Sequence, residues 1–432
     1  MDENQAYFDN TSKEMPRTPV PKGEKGSGKG LFLAGLIAGL ASTLLLVGIV
    51  YLGHSIQQIA ESRNAAEQVV FEENSAVDAS MVTKLQALES IIDQYYYLSE
   101  VSNEELQDGI YKGMLESLGD PYSEYYTTEE LNAILEQTEG VYYGIGAYVS
   151  LDSDTGLPKI SGTIVGSPAE AADLRANDLI YEVDGTSTYG LSLTETVSLI
   201  KGEEGTEVSL TLVRSGESME VTLTRRKVES PTVESKMLDE NRAYIRITEF
   251  DDVTVNQFAD ALATMRGSGM KGLILDLRGN PGGSLDAVVD IARMMLPEGL
   301  VVYTEDKEGK RTEYDCDGAH ELEVPLAVLV DMNSASASEI LSGAIKDYGI
   351  GTLVGTTTFG KGIVQQIMPF RDGSAIKLTI SAYYTPNGNN IHGIGIEPDV
   401  LCEFDGEAYY GSEEHPDNQL EKAKEVLAEL MK

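Results

Sequence analysis

Histidine, cysteine and positive charge are all scarce in this sequence. Its 432 residues include four histidines, two cysteines (Cys316 and Cys402) and 32 Lys+Arg against 71 Asp+Glu, a formal net charge of −39. Two cysteines are no disulfide framework, although one bridge could form, and they are too few for a zinc cluster. The acidic excess excludes nucleic acid as an expected partner, because phosphate binding needs a basic face, and otherwise reads as solubility and general repulsion. No G-x-S-x-G elbow occurs either. With so few histidines, a Ser-His arrangement has only distant candidates: His320 and His392 are the nearest to the serine-rich "SASASEI" of Ser334 to Ile340.

Long apolar runs are also missing, with one exception. "GLFLAGLIAGLASTLLLVGIVYLG", Gly30 to Gly53, is long enough to cross about 30 Å of hydrocarbon at 1.5 Å per residue. Lys22, Lys25 and Lys29 precede it, and no Lys or Arg follows until Arg63. The positive-inside rule therefore puts the N-terminus in the cytoplasm and residues 54–432 outside, as a single-pass cell-membrane protein. The rival reading is a cleaved leader, but the run exceeds the usual apolar core of about 7–15 residues. An uncleaved anchor is expected.

What is present falls into blocks. Residues 1–29 are polar with Pro16, Pro19 and Pro21, and read as a disordered tail. Residues 54–139 are mostly helical: "MVTKLQALESIIDQYY" puts Val82, Leu85, Leu88, Ile91 and Ile92 on one face, and Ser102 with Glu105 forms a capping pattern. That apolar face is either a homodimerisation or partner surface, or it packs on the main body. Residues 140–228 turn to short strands, with a hairpin of clean alternation in "VSLTLVRSGESMEVTLTRR". Residues 229–432 alternate strands ("RAYIRITEF", "MKGLILDLRGN", "PLAVLVDMN") with helices, and predict a mixed α/β core with a partly parallel sheet, closed by an amphipathic C-terminal helix.

Sites in open α/β sheets gather beyond the carboxyl ends of strands. Two loops qualify, "DLRGNPGGSL" and "NSASASEI". The Gly282-Gly283 pair opens a helix and offers backbone N–H groups of the kind that make an oxyanion hole; simple turn geometry is the alternative. Ser336 and Glu339 fit a capping box, yet a serine on a strand-to-helix turn is also how hydrolases expose a nucleophile. Spacing does not choose among the three serines. For the proton acceptor, Lys361 in "GTTTFGKGIVQQIMPF" is a candidate: Phe359, Ile363 and Val364 flank it, and no carboxylate lies within ten residues. A lysine serves as a base only if desolvation lowers its pKa from about 10.4. The same stretch matches G-x-x-x-x-G-K, but Gly362 stands where a phosphate-binding loop needs Ser or Thr.

Two resemblances add to this reading. Residues 140–228 resemble a circularly permuted PDZ domain, in which "YYGIGAYV" would offer backbone N–H groups to a peptide's terminal carboxylate, with Tyr143, Gly144, Ile145 and Gly146 as the tail-binding residues. Its "ADLRAND" segment departs from the usual pattern, and Arg175 within it reads as a solvated residue. From Met81 to Val400 the chain is similar to carboxyl-terminal processing peptidases. The ordered motifs "LGDPYSEYY", "YIRITEF", "LDLRGNPGG", "NSASASEI", "TTFGKGIVQ" and "YTPNGNNIHGIGIEPD" carry the likeness. It implies Ser336 as nucleophile, Lys361 as general base, Gln365 as the residue orienting that lysine, Ala337 with Gly282 or Gly283 as oxyanion donors, and a carboxylate at Asp347. It also implies protein or peptide substrates with apolar C-termini and no metal or organic cofactor. Lys361 and Gln365 would touch across a helical turn at about 6 Å but stand about 13 Å apart along a strand. Asp347 lies three turns from Ser336, about 16 Å along a helix, and so reads as a supporting residue. The competing readings are an inactive PDZ scaffold and a Ser-His hydrolase using His392 or His320.

Overall fold

The computed structural model describes residues 75–432. The tail, the apolar run 30–53 and the start of the helical arm lie outside the described residues. Among the described residues no helix is long and apolar enough to cross a membrane.

The arm contributes α1 (Ala79–Tyr95), α2 (Asn103–Glu116), β1 (Glu124–Tyr126) and α3 (Thr128–Glu139). Capping boxes start α2 at Ser102/Glu105 and α3 at Thr127/Glu130. Val82, Leu88 and Ile91 of α1 are exposed and Leu85 and Ile92 half-buried, so among the described residues the apolar stripe is only partly covered.

The next block holds β2 (Val141–Gly144), β3 (Ala147–Leu151), β4 (Pro158–Thr163), α4 (Pro168–Ala171), β5 (Leu179–Val183), β6 (Thr186–Ser187), α5 (Leu193–Ile200), β7 (Glu207–Arg214), β8 (Glu217–Thr224) and β9 (Arg226–Glu229). Its sheet runs β3-β4-β5-β7-β8, with β3 at an edge. Val208, Leu210 and Leu212 alternate inward on β7 and join Ile145, Ile160 and Ile180 in a separate core. Arg175 is exposed and pairs with Asp173 at 2.6 Å.

The last block holds β10 (Val233–Met237), β11 (Arg242–Ile247), α6 (Asp252–Gly267), β12 (Gly272–Asp276), α7 (Leu285–Ala292), β13 (Gly299–Asp306), β14 (Arg311–Cys316), β15 (Leu326–Val330), α8 (Ala337–Tyr348), β16 (Gly351–Gly355), β17 (Ile363–Pro369), β18 (Ala375–Tyr384), β19 (Val400–Leu401), α9 (Gly406–Gly411) and α10 (Asn418–Leu430). The main sheet is ordered β10-β11-β12-β15-β16-β19, and only the β10 pairing is antiparallel. Its strands are apolar on both sides because both sides are covered. Ile245, Leu273, Leu275, Val328 and Leu353 face α6, α7 and α8, whereas Tyr244, Ile274, Ala327, Leu329 and Val354 face α10. Each such aliphatic side chain contributes about 1.5–3 kcal/mol on burial. Cys316 and Cys402 belong to these opposite faces and are both free thiols.

A second, antiparallel sheet was not foreseen: β1-β18-β13-β14, with β17 also on β18. The arm is stitched to the core through it, since Glu124, Tyr125 and Tyr126 pair with Lys377, Ile376 and Ala375.

Candidate active site

The serine-rich loop leaves β15 and leads into α8. Ser336 sits at the junction with φ 54° and ψ −111°, a backbone conformation that non-glycine side chains rarely adopt. Holding a residue there costs on the order of 1–3 kcal/mol, so the surroundings must enforce it. They do so with the neighbouring serines. Ser334 and Ser338 are fully buried, and their hydroxyls donate to the carbonyls of Leu277 (2.8 Å) and Asn280 (3.0 Å). The Glu339 carboxylate accepts from the Ser336 N–H (2.9 Å), but the Glu339 N–H turns to the Ser336 carbonyl (2.8 Å), and the Ser336 hydroxyl makes no cap hydrogen bond. That hydroxyl is left free at the wall of a cavity.

The glycine loop lies against this turn. A Cβ on Gly282 would stand 2.8 Å from Ser336 Cβ, and one on Gly283 would stand 2.3 Å from the Phe250 carbonyl oxygen, so neither position has room for a side chain. The two N–H groups differ in availability. Gly282 donates to Asn280 Oδ1 at 2.8 Å. Gly283 and Ala337, among the described residues, have no partner for their N–H. Buried Asn280 organises the loop, donating through Nδ2 to the Ile247 carbonyl and accepting from Ala335 N–H at its own carbonyl.

Lys361 and Ser336 line one cavity of about 280 Å³, together with Gly283, Ala337, Gln365, Leu285, Ile340, Ile363, Val364 and Tyr383. Burial, then the like charge of Lys377, pushes the Lys361 pKa down; Asp120, Glu124 and Glu339 oppose this. The carboxylate-poor neighbourhood read from the sequence is therefore corrected in space: three acids from distant segments approach the lysine, and desolvation prevails over them. Phe359, expected to flank the lysine, is 56% exposed and does not line the cavity.

Gln365 is on β17, not on a helical turn. It lines the same cavity as Lys361 but makes no hydrogen bond to it among the described residues. The Gln365 amide instead donates to Thr379 Oγ1 at 3.1 Å. Asp347, half-buried on α8, accepts from the Asn387 N–H at 2.8 Å and pins the turn after β18. His392 is exposed, sits outside the cavity and accepts from the Gly362 N–H at 3.4 Å. Among the described residues no His/Cys/Asp/Glu group has the arrangement to hold a metal ion.

The parts that Glu339 and Tyr383 play at the site escaped the sequence reading. Fully buried Glu339 accepts from Thr358 Oγ1 (2.6 Å), Gly360 N–H (2.7 Å) and Lys361 N–H (2.9 Å) besides Ser336 N–H, so one carboxylate joins the nucleophile turn to the lysine loop. Tyr383, 1% exposed, donates to the carbonyls of both Ser336 (3.1 Å) and Lys361 (2.5 Å). Burial drives its pKa well up, so the donor stays protonated. The available signal for Glu339 was a lone charge between small and apolar residues in "ASEILSGAI".

In the PDZ-like block the N–H groups of Ile145 and Gly146, among the described residues, have no partner, and they lie at the head of the unpaired edge of β3. Ile145 puts its side chain in the core (2% exposed), so only its backbone faces a ligand. Gly144 is buried at the end of β2, and the Tyr143 carbonyl accepts from Gly202 N–H. α5 packs on β3.

The chain is similar to known proteins. A profile of peptidase family S41 matches residues 241–402, a PDZ domain profile matches 159–214, and the N-terminal domain of the activating protease CtpB matches 43–130. The chain is 34% identical to the carboxyl-terminal-processing protease of Synechocystis sp., over 84% of this chain and 87% of that protein. It is 37% identical to the carboxy-terminal processing protease CtpA of Bacillus subtilis, over 74% and 68% of the two chains. The solved photosystem II D1 C-terminal processing protease aligns with 76% of this chain and 94% of its own, at 30% identity and a TM-score of 0.45.

Proposed function

Because the chain belongs to peptidase family S41, as a serine peptidase of the carboxyl-terminal processing kind with a PDZ domain, we propose that it cleaves proteins at their C-terminal region with Ser336 as nucleophile and Lys361 as base. The observation that carries this reading is the single cavity into which both side chains open, with two unpartnered N–H donors, Gly283 and Ala337, on its wall.

Neutral Lys361 Nζ takes the Ser336 Oγ proton as Oγ bonds to the scissile carbonyl carbon. The oxygen becomes an oxyanion and accepts from the Gly283 and Ala337 N–H groups, which makes Gly283 rather than Gly282 the donor of the pair. The C–N bond then breaks, and Lys361 passes its proton to the leaving amine. Water, deprotonated by the same lysine, hydrolyses the ester. Gln365 acts as part of the cavity wall next to the lysine, held by Thr379. All these groups belong to the chain itself.

The PDZ domain binds the substrate's C-terminus: its carboxylate reaches the Ile145 and Gly146 N–H groups, and its backbone adds to β3. Ala147, Val149 and Leu199, half-buried and apolar, suit an apolar tail. The 30–53 run anchors the protein in the cell membrane with the N-terminus cytoplasmic and the peptidase outside. The apolar stripe of α1 is the surface for a second copy of the chain.

The test is covalent trapping. The protein is mixed with a peptide p-nitrophenyl ester, quenched in acid and digested. Mass spectrometry is expected to find the acyl group on the peptide that contains Ser336; an acyl group on another residue, with Ser336 unmodified, overturns the reading.

A further inference from the structure

The arm, and not only the core, contacts half-buried Lys361. The turn before β1 lays the Tyr122 ring against the lysine, with Nζ 4.6 Å from the ring centroid. This turn is tightly built. Asp120 accepts from the Tyr122 N–H (3.0 Å) and from the Ser123 hydroxyl (2.6 Å), and Ser123 Oγ accepts from the Thr379 N–H (3.0 Å). Thr379 is also the residue that holds Gln365. Two positions further, Glu124 pairs with Lys377 at 2.7 Å and so occupies the second cation near the site. Arm residues thus touch the lysine, its like-charged neighbour and the strand position that fixes Gln365.

We propose that Tyr122 is a positioning residue for the general base: docked on β18, its ring shields Lys361 from water, and the active site is incomplete until the arm is in place. This rests on the assignment of Lys361 as base. The charged groups around Lys361 come from three elements: Asp120 and Glu124 from the arm, Glu339 from α8 and Lys377 from β18. A ring over an ammonium attracts the cation, while its bulk excludes the water the cation needs. Burial is the largest influence on Lys361, ahead of every charge, and the Tyr122 ring is part of what surrounds its amine.

The experiment compares Tyr122→Phe and Tyr122→Ala in the full chain by the pH profile of kcat/KM. A second readout is the pH dependence of Lys361 acetylation by acetic anhydride in a Ser336→Ala background. Tyr122→Phe keeps the ring and is expected to match the parent in both. Tyr122→Ala is expected to move the acid limb and the acetylation midpoint to higher pH by about one unit, to lower kcat/KM at neutral pH about tenfold, and to leave KM and the unfolding midpoint nearly unchanged. If Tyr122→Ala leaves the acetylation midpoint in place, or Tyr122→Phe is as impaired as Tyr122→Ala, the proposal is overturned. Lys361→Ala run alongside separates the two levels: full activity there removes the base assignment, whereas an inactive Lys361→Ala with an unshifted Tyr122→Ala removes only the role of Tyr122.

Discussion

Ser336 and Lys361 open into one cavity, yet they are held there in different ways. The proposed nucleophile is local: a strand, a six-residue turn and a helix supply its strained backbone, and the two flanking serines lock the turn to the neighbouring loop. The proposed base is assembled: its loop is tied by Glu339 and Tyr383, its Nζ lies against the Tyr122 ring, and its charge balance involves Asp120, Glu124 and Lys377. A strand-to-helix turn can fix a hydroxyl by itself. Taking a lysine out of water needs walls on every side, and no single segment of chain provides them.

Four substitutions sharpen this contrast, in falling order of effect. Lys361→Arg keeps the positive charge but gives a group that stays protonated, so kcat is expected to fall at least about 10³-fold, with tail-peptide binding by calorimetry retained. Glu339→Ala, which strands four donors at the seam between the two halves, is expected to cost about 3 kcal/mol. Thermal unfolding should show this as a drop of about 6–12 °C, along with loss of turnover. Tyr383→Phe removes one hydroxyl shared by two carbonyls. It is expected to cost about 1 kcal/mol of stability and to lower kcat about tenfold with KM unchanged. Ser338→Ala, confined to the local half, is expected to cost about 1 kcal/mol and to leave kcat within about threefold; a larger kcat loss than Tyr383→Phe breaks the contrast.

The pH dependence follows from the same asymmetry. The Lys361 pKa is lowered in the folded protein, and only the neutral amine accepts a proton. kcat/KM is therefore expected to rise with pH through that lowered pKa and to level off before the ordinary lysine value of about 10.4 is reached. A profile still rising beyond it shows a lysine in contact with water.

The same difference explains what the sequence made legible. Strands β11, β12 and β15 were visible because their apolar runs are short, bounded and followed by helical periods. The nucleophile turn and the glycine pair were visible because they occupy the ends of those strands. Among three serines, though, composition gave no choice, and the buried bonds of Ser334 and Ser338 supply the physical reason. The base was read with less success. Lys361 was found as a candidate, but its carboxylate neighbours lie far off in sequence, Gln365 entered a strand, and the antiparallel sheet that brings the arm to the site went unseen. Contacts such as Glu124 with Lys377 span hundreds of residues and leave no periodic trace. Glu339 was recognised as a capping residue, which is the smaller part of what its carboxylate does.

The central claim is that a lysine, in a chain poor in histidine, takes the serine proton. Side-by-side turnover of Lys361→Ala and His392→Ala on an unfolded protein with an apolar C-terminus tests it most directly. The expected result is a loss of at least about 10³-fold for Lys361→Ala and full activity, within about twofold, for His392→Ala. An active Lys361→Ala, or a His392→Ala as inactive as the serine variant, contradicts it.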